Sequence, residues 1–184
     1  ASILHHTALR DAFECFLHDP NRFALGVCNG CQMLAALREL IPGGGDWPQF
    51  RANQSGQFEA RLSLVEVTES PSLFFSGMAG SRLPVATAHG EGRAVFEDSA
   101  DPDRAAVALR YVEADGSPAH TYPANPNGSA GGITGVCNRD GRVTLLMPHP
   151  ERLLRGLNFS WRPPEWSEVS PWSRMFDNVR AWFE

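Results

Sequence analysis

The chain has 184 residues, 42% hydrophobic and 20% charged, with a formal net charge of −5. That length suits a single domain with a sizeable core, and the charge offers no basic field to nucleic acid or to an anionic membrane. All 16 basic residues are Arg and none is Lys, which removes lysine Schiff bases and the P-loop lysine from the available chemistry.

The opening stretch "ASILHHTALRDAFECF" has no initiator Met and enters helical periodicity almost at once, so it reads as the interior of a protein. Leu9, Phe13, Phe16 and Leu17 stand at i, i+4, i+7 and i+8, one apolar face of a helix. Asp19-Pro20-Asn21 ends it. Residues 23–27 form a short apolar run and predict a buried strand. Residues 29–40 follow as a helix with Met33, Leu34, Leu37 and Leu40 facing inward, stopped by Pro42-Gly43-Gly44-Gly45. Residues 46–58 predict a long polar loop around Trp47 and Phe50, a length that is usually functional or mobile. Residues 61–67 alternate and predict a strand. "LPVATAHGEGRAVF" predicts one or two more, broken at residues 89–92, and residues 107–112 another. Residues 122–132 are rich in turn formers. Residues 133–137 and 143–147 predict a hairpin closed by Asn138-Arg139-Asp140-Gly141. Residues 171–183 are amphipathic, with Trp172, Phe176, Val179 and Phe183 on one face. No repeat and no linker divides the chain. No run approaches the roughly 18–20 apolar residues a membrane span needs, and no secretory signal is visible. Cys15, Cys28, Cys31 and Cys137 read as reduced thiols, which with the rest leads to the expectation of a cytoplasmic protein.

The chemistry concentrates in "GVCNG", residues 26–30, at a strand-to-helix junction. Small residues flank Cys28 two positions to either side, as a tight nucleophile elbow requires, since a side chain at either would strike the neighbouring strand or helix. The elbow aims the thiol out of the sheet at a helix N-terminus, where the dipole and unpaired N–H groups favour a thiolate. The Asn29 N–H then points where an oxyanion would form. Other readings stay open on the residues alone. Cys28 and Cys31 have redox spacing, although such motifs need no glycine on both flanks. Zinc would need a second ligand pair, and Cys15, Cys137 and His5-His6 offer no regular partner motif. Two buried structural cysteines remain the bland alternative.

A cysteine nucleophile needs a base and an orienting group. His149 follows a strand and stands between Pro148 and Pro150, which push their preceding residues toward extended geometry. In an extended stretch residues i and i+2 share a side, which places Glu151 beside His149. The bland reading is a proline-rich strand exit with a surface His and Glu. His89 and Glu91 in "HGEGR" form a rival pair on what reads as a flexible glycine turn, and His149 is preferred as the base.

Cys28 within Gly-x-Cys-x-Gly-x-Gln, followed late by His149-x-Glu151, resembles the class I (triad) glutamine amidotransferases. "ALGVCNGCQML", "LIPG", "SLVEV", "AHGEGR", "ALRYV", "YPANPNGS", "GITGV", "MPHPER" and "SPWSRMFDNVRAWF" are similar to the glutaminase domain of the large, single-chain phosphoribosylformylglycinamidine synthases over nearly the whole chain. The resemblance implies an α/β, three-layer, flavodoxin-like fold. It implies glutamine hydrolysis, with the ammonia used at a separate ATP-dependent site that converts formylglycinamide ribonucleotide to formylglycinamidine ribonucleotide. By motif position Cys28 is the nucleophile, His149 the general base and acid, and Glu151 its partner. Asn29, Gln32 and His89 fall to substrate binding, and Cys31 takes no catalytic role. No metal or cofactor is implied in this domain, since ATP and Mg belong to the synthase portion, which is also the implied partner. Non-catalytic docking of the same fold, or a different Cys-His-Glu hydrolase, are the competing classes.

The departures from the pattern are equally specific. Family glutaminase domains carry a further βαβ portion and a Gly-rich loop ahead of the residue equivalent to Ala1, and that loop supplies a second oxyanion N–H. Neither is in this sequence, so residues 1–184 read as the C-terminal part of such a domain. The strand at residues 23–27 is then expected to lack its flanking neighbours and to leave an apolar edge open. The stretch between Arg93 and Val107 is also shorter than the pattern.

Overall fold

In the computed structural model, residues 6–97, 104–166 and 168–184 are described. His5 of the His5-His6 pair and much of the short stretch between Arg93 and Val107 lie outside them.

The first helix, α1 (Thr7–His18), leads to β1 (Ala24–Val27) and α2 (Asn29–Ala36). A small antiparallel ribbon joins β2 (Gln49–Arg51) to β5 (Arg93–Val95). The main strands are β3 (Glu59–Val67), β4 (Arg82–His89), β6 (Ala106–Tyr111), β7 (Ile133–Cys137) and β8 (Val143–Leu146). The chain closes with α3 (Arg174–Phe183).

The six-stranded sheet runs β1-β8-β7-β6-β3-β4. β1 and β8 are parallel, with Val27 opposite Leu146, and every other pairing in the sheet is antiparallel. The predicted hairpin is present as β7 and β8. These two strands are buried at every position, as expected for strands with cover on both faces. One layer packs Leu17 of α1, Cys31 and Leu34 of α2, and Trp47 against Val136, Val143 and Leu145. The opposite layer packs Phe74, Phe75, Trp172 and Met175 against Val65, Val85, Leu109 and Tyr111. The result is a three-layer α/β fold around a mixed sheet. β1 lies at one end of that sheet. The expectation that this strand lacks its flanking neighbours is corrected on one side, where β8 pairs with it along its length, while its far edge meets no strand among the described residues.

The sheet curls. At its other end β4 meets the segment just beyond β8 through a bridge between Ala86 and His149. Since β1 and β8 are parallel, their C-terminal ends open on the same side, where ligands of open α/β sheets bind. The curl brings the end of β4 to that same place.

Several expectations need correction. The buried stripe of α2 is Cys31, Leu34 and Ala35, and Met33 lies off it at 38% exposure. In α1 only Leu17 is buried, and Leu9 and Phe16 are open to solvent. At the C-terminus a 3₁₀ turn (Pro171–Ser173) precedes α3, which shifts the helical phase; Trp172 and Met175 are buried, while Phe176 and Phe183 are exposed. The supposed polar loop at 46–58 contains β2, and its Trp47 is buried with the indole N–H donating to the Cys137 carbonyl at 2.9 Å. Among the described residues no helix is long and apolar enough to cross a membrane.

Candidate active site

β1 ends at Val27, and the ladder continues one step further, with the Cys28 N–H donating to the Leu146 carbonyl at 2.8 Å. Cys28 then turns sharply, with φ 53° and ψ −108°, and is the one non-glycine residue with positive φ among the described residues. Such a conformation is unfavourable by about 1–3 kcal/mol and persists only where the surroundings impose it. The Cys28 carbonyl accepts the first helical bond, from Gln32 N–H at 3.1 Å. The Asn29 N–H, at the first position of α2, has no intrahelical carbonyl to bond.

The two glycines of the elbow have different standing. A Cβ on Gly26 would lie 2.7 Å from the Gly30 carbonyl oxygen and 2.8 Å from Leu34 Cδ1, so β1 and α2 are in contact there. A Cβ on Gly30 would meet nothing within 4 Å. The expectation that both positions exclude a side chain holds for Gly26 and not for Gly30, which faces open space.

Cys31 is fully buried in the layer under α2, and burial, followed by the nearby Cys28, pushes its thiol well above the ordinary range. All four cysteines are free. Among the described residues no cluster of three or more His, Cys, Asp or Glu side chains could hold a metal ion.

His149 is buried and its backbone N–H donates to the Ala86 carbonyl at 2.7 Å. Its Nδ1 lies 2.7 Å from Glu151 Oε1, and its Nε2 is buried without a hydrogen-bond partner. The neighbourhood of the two residues is as expected, but the reason differs. Pro150 starts a 3₁₀ turn (Pro150–Leu153), and Glu151 swings beside the imidazole within that turn rather than along an extended strand. Glu151 is partly exposed, with the Arg152 guanidinium 3.8 Å from the same oxygen.

His89 is not on a flexible turn. It is the last residue of β4 and only 3% exposed. Gly92 folds directly over its ring, since a Cβ there would fall 2.1 Å from His89 Cε1. Its Nε2 lies 3.5 Å from the Tyr111 hydroxyl, and its Nδ1 is buried without a partner. Burial, and then the repulsion that a protonated His149 would exert, depress its pKa to about 4. His89 is therefore a neutral imidazole at pH 7, close enough to His149 to feel its charge.

Gln32 lies one helical turn beyond Cys28, and its Nε2 donates to the Glu91 carbonyl at 3.1 Å and to the Glu91 carboxylate at 3.2 Å. The Cys28 Sγ lies 3.9 Å from the Ala88 carbonyl oxygen, within reach of a weak S–H donor. Thus α2, β4 and the turn at 89–92 share one wall of the site.

Asn53 was not foreseen from the sequence. Its side-chain N–H donates to the carbonyls of His89 at 2.8 Å and Gln57 at 2.9 Å, and its Oδ1 accepts from Gly92 N–H at 2.9 Å. Its backbone N–H donates to the Gly90 carbonyl at 2.9 Å. Asn127 adds a bond to the Gly92 carbonyl at 2.7 Å. These bonds fasten the glycine turn from both Asn53 and Asn127. A signal existed in the "YPANPNGS" stretch, whose Asn127 is fully buried, but nothing local pairs it with residue 92. A cavity of about 570 Å³ lies between residues 54–59 and 120–128 and includes none of Cys28, His149 or Glu151, so the candidate site is located by its chemistry and not by that hollow.

A family profile described as a CobB/CobQ-like glutamine amidotransferase domain matches residues 1–183. Among solved structures, the chain is similar to PurLQS from Thermotoga maritima, with 26% identity over 87% of this chain and 61% of that one, at a TM-score of 0.60. It is also similar to a putative GMP synthase subunit from Thermoplasma acidophilum, with 16% identity over 97% of this chain and 66% of that one, at a TM-score of 0.53, a likeness of fold alone. The chain thus spans less than two thirds of the length of each of these structures.

Proposed function

The chain belongs to the CobB/CobQ-like glutamine amidotransferase family, and from that premise we propose that it is the glutamine-hydrolysing part of a phosphoribosylformylglycinamidine synthase. The observation that carries the chemical half of this reading is that the edge of β4 receives both the strained Cys28 turn, at the Ala88 carbonyl, and His149, at the Ala86 carbonyl, with His149 Nδ1 held by Glu151 and its Nε2 left open. The motif resemblance and the likeness to PurLQS support the choice of synthase.

In this reading Cys28 Sγ attacks the side-chain carboxamide carbon of glutamine while His149 Nε2 takes the thiol proton. The carbonyl oxygen becomes an oxyanion facing the Asn29 N–H. His149 returns the proton to the nitrogen, the C–N bond breaks, ammonia departs, and a glutamyl thioester remains on Cys28. His149 then removes a proton from water. The hydroxide displaces the thiolate, which recovers the proton, and glutamate leaves. Glu151 holds the proton on Nδ1, so that Nε2 is the acceptor at the start of each half-reaction, and stabilises the imidazolium between them. His89, neutral at pH 7, does not compete for that proton. Gln32 and Asn29 form the wall against which glutamine lies, and His89, buried under Gly92, backs that wall rather than facing the substrate. The ammonia is used by the synthase partner, where ATP and Mg serve the conversion of formylglycinamide ribonucleotide to formylglycinamidine ribonucleotide with release of ADP and phosphate.

The test is a glutaminase assay combined with labelling by a diazo-ketone analogue of glutamine at neutral pH. Glutamate release and label confined to Cys28 support the proposal. Label without turnover points to a docking domain that has kept its elbow, and turnover of peptides in preference to glutamine points to another hydrolase.

A further inference from the structure

Strand β4 forms one end of the sheet, and on its outer edge the backbone groups of alternate residues point away from β3. Three successive outward carbonyls each meet a different group. The Pro84 carbonyl accepts from the Trp172 indole N–H at 2.8 Å. The Ala86 carbonyl accepts from the His149 N–H at 2.7 Å. The Ala88 carbonyl lies 3.9 Å from Cys28 Sγ. One edge therefore carries an anchor, the proposed base and the proposed nucleophile at a two-residue spacing. Pro84 itself suits this edge, having no outward N–H to leave unpaired.

Trp172 is fully buried, and its segment is fastened through Ser170. Ser170 Oγ accepts from the Trp172 N–H at 3.1 Å, and the Ser170 N–H donates to the Leu154 carbonyl at 2.9 Å, directly behind the turn that carries Glu151. The indole thus ties β4 to the mount of His149 and Glu151 from behind. The bridge at Ala86 ties the same two elements from the front. The ladder to β3 holds the inner edge of β4, and on its outer edge these side-chain and bridge contacts stand where a further strand would otherwise pair.

We infer that the Trp172 indole N–H is a positioning group for Cys28 and His149, holding the outer edge of β4 in the place that spaces the two. The inference rests on the reading of those residues as nucleophile and base. Trp172 touches neither substrate nor reacting atoms; it acts through the Pro84 carbonyl and the rigid strand between residues 84 and 88.

The test replaces Trp172 by benzothienylalanine, an isostere with sulfur in place of the N–H, and separately by Phe, in the full-length protein. Glutamine turnover is measured as kcat and KM, and Cys28 reactivity as its rate of alkylation by iodoacetamide. A single misplaced contact of this kind lowers turnover by about tenfold or more. The isostere is expected to lower kcat by about that factor with KM within about twofold, and to change the Cys28 alkylation rate. Trp172→Phe is expected to do the same with an added loss of thermal stability. A purely structural indole would lower the unfolding temperature of Trp172→Phe yet leave kcat and the alkylation rate of the isostere at their original values, and that result overturns the inference. If the unsubstituted protein hydrolyses no glutamine, the proposed function fails, while equal alkylation rates with and without the N–H would still overturn the positioning role.

Discussion

The depressed His89 should be visible as a pH-dependent loss of stability. The imidazole is buried and lies in the field of His149, so its folded pKa is about 4 against an ordinary value of 6.5. A histidine with a lowered folded pKa binds fewer protons folded than unfolded across that window. Its neutral burial therefore leaves stability intact above the unfolded value and erodes it as pH falls toward the folded one. For these two values the erosion between about pH 7.5 and about pH 5 is about 2 kcal/mol, and it saturates at about 3 kcal/mol below the folded pKa. The assay is chemical denaturation at the two pH values on the protein and on His89→Gln, which keeps a polar side chain but cannot be protonated. Other titrating groups contribute to both proteins, so the difference between them isolates residue 89. The difference should shift by about 2 kcal/mol in favour of the variant on going to the lower pH. A difference that does not change with pH would show that His89 titrates alike in the folded and unfolded chain, and one that shifts in favour of the unsubstituted protein would show that it holds its proton when folded; either would refute the burial argument.

Glu151→Gln keeps the shape beside His149 but removes the charge and can favour the wrong tautomer, so kcat for glutamine hydrolysis should fall by about 10²-fold to 10⁴-fold with little change in KM; steady-state kinetics decides, and a loss confined to KM would contradict it. Gly26→Ala brings a Cβ to 2.7 Å from the Gly30 carbonyl oxygen, and should be destabilising by about 1–3 kcal/mol in denaturant titrations. Gly30→Ala, in open space within α2, should be neutral or stabilising by up to about 1 kcal/mol, and equal losses from the two substitutions would mean that the elbow packs differently. Cys31→Ala should leave glutamine turnover within about tenfold, since its thiol is buried and held protonated; a Cys28–Cys31 disulfide that forms reversibly and gates activity would contradict this.

What was legible in the sequence was local. The strand, the Cys28 turn and the helix at residues 24–36 follow from a short apolar run, small flanking residues and helical periodicity within a few positions of each other. The hairpin of β7 and β8 follows from two apolar runs and the turn residues between them. The closeness of His149 and Glu151 was legible too, although through a 3₁₀ turn that an argument from extended geometry did not foresee. What depended on long-range register was not. The burial of His89 comes from its place opposite Glu59 at the end of β4 and from Gly92 folding over the ring. Asn53 reaches across to residues 89–92, and Trp172 reaches a carbonyl far back in the chain. No periodicity within one segment encodes such meetings. The open side of Gly30 and the exposure of Leu9 and Phe16 likewise concern what lies opposite a face, which the pattern of that face alone does not say.

The central claim is that Cys28 releases ammonia from glutamine for use at a separate synthase site. Its most direct test is Cys28→Ser in the complete synthase, with formylglycinamidine ribonucleotide formation measured once with glutamine and once with added ammonium as the nitrogen source. The account predicts that activity with glutamine is abolished while activity with ammonium stays near that of the unsubstituted enzyme. Comparable loss with both nitrogen sources, or glutamine-dependent activity that survives the substitution, would contradict it.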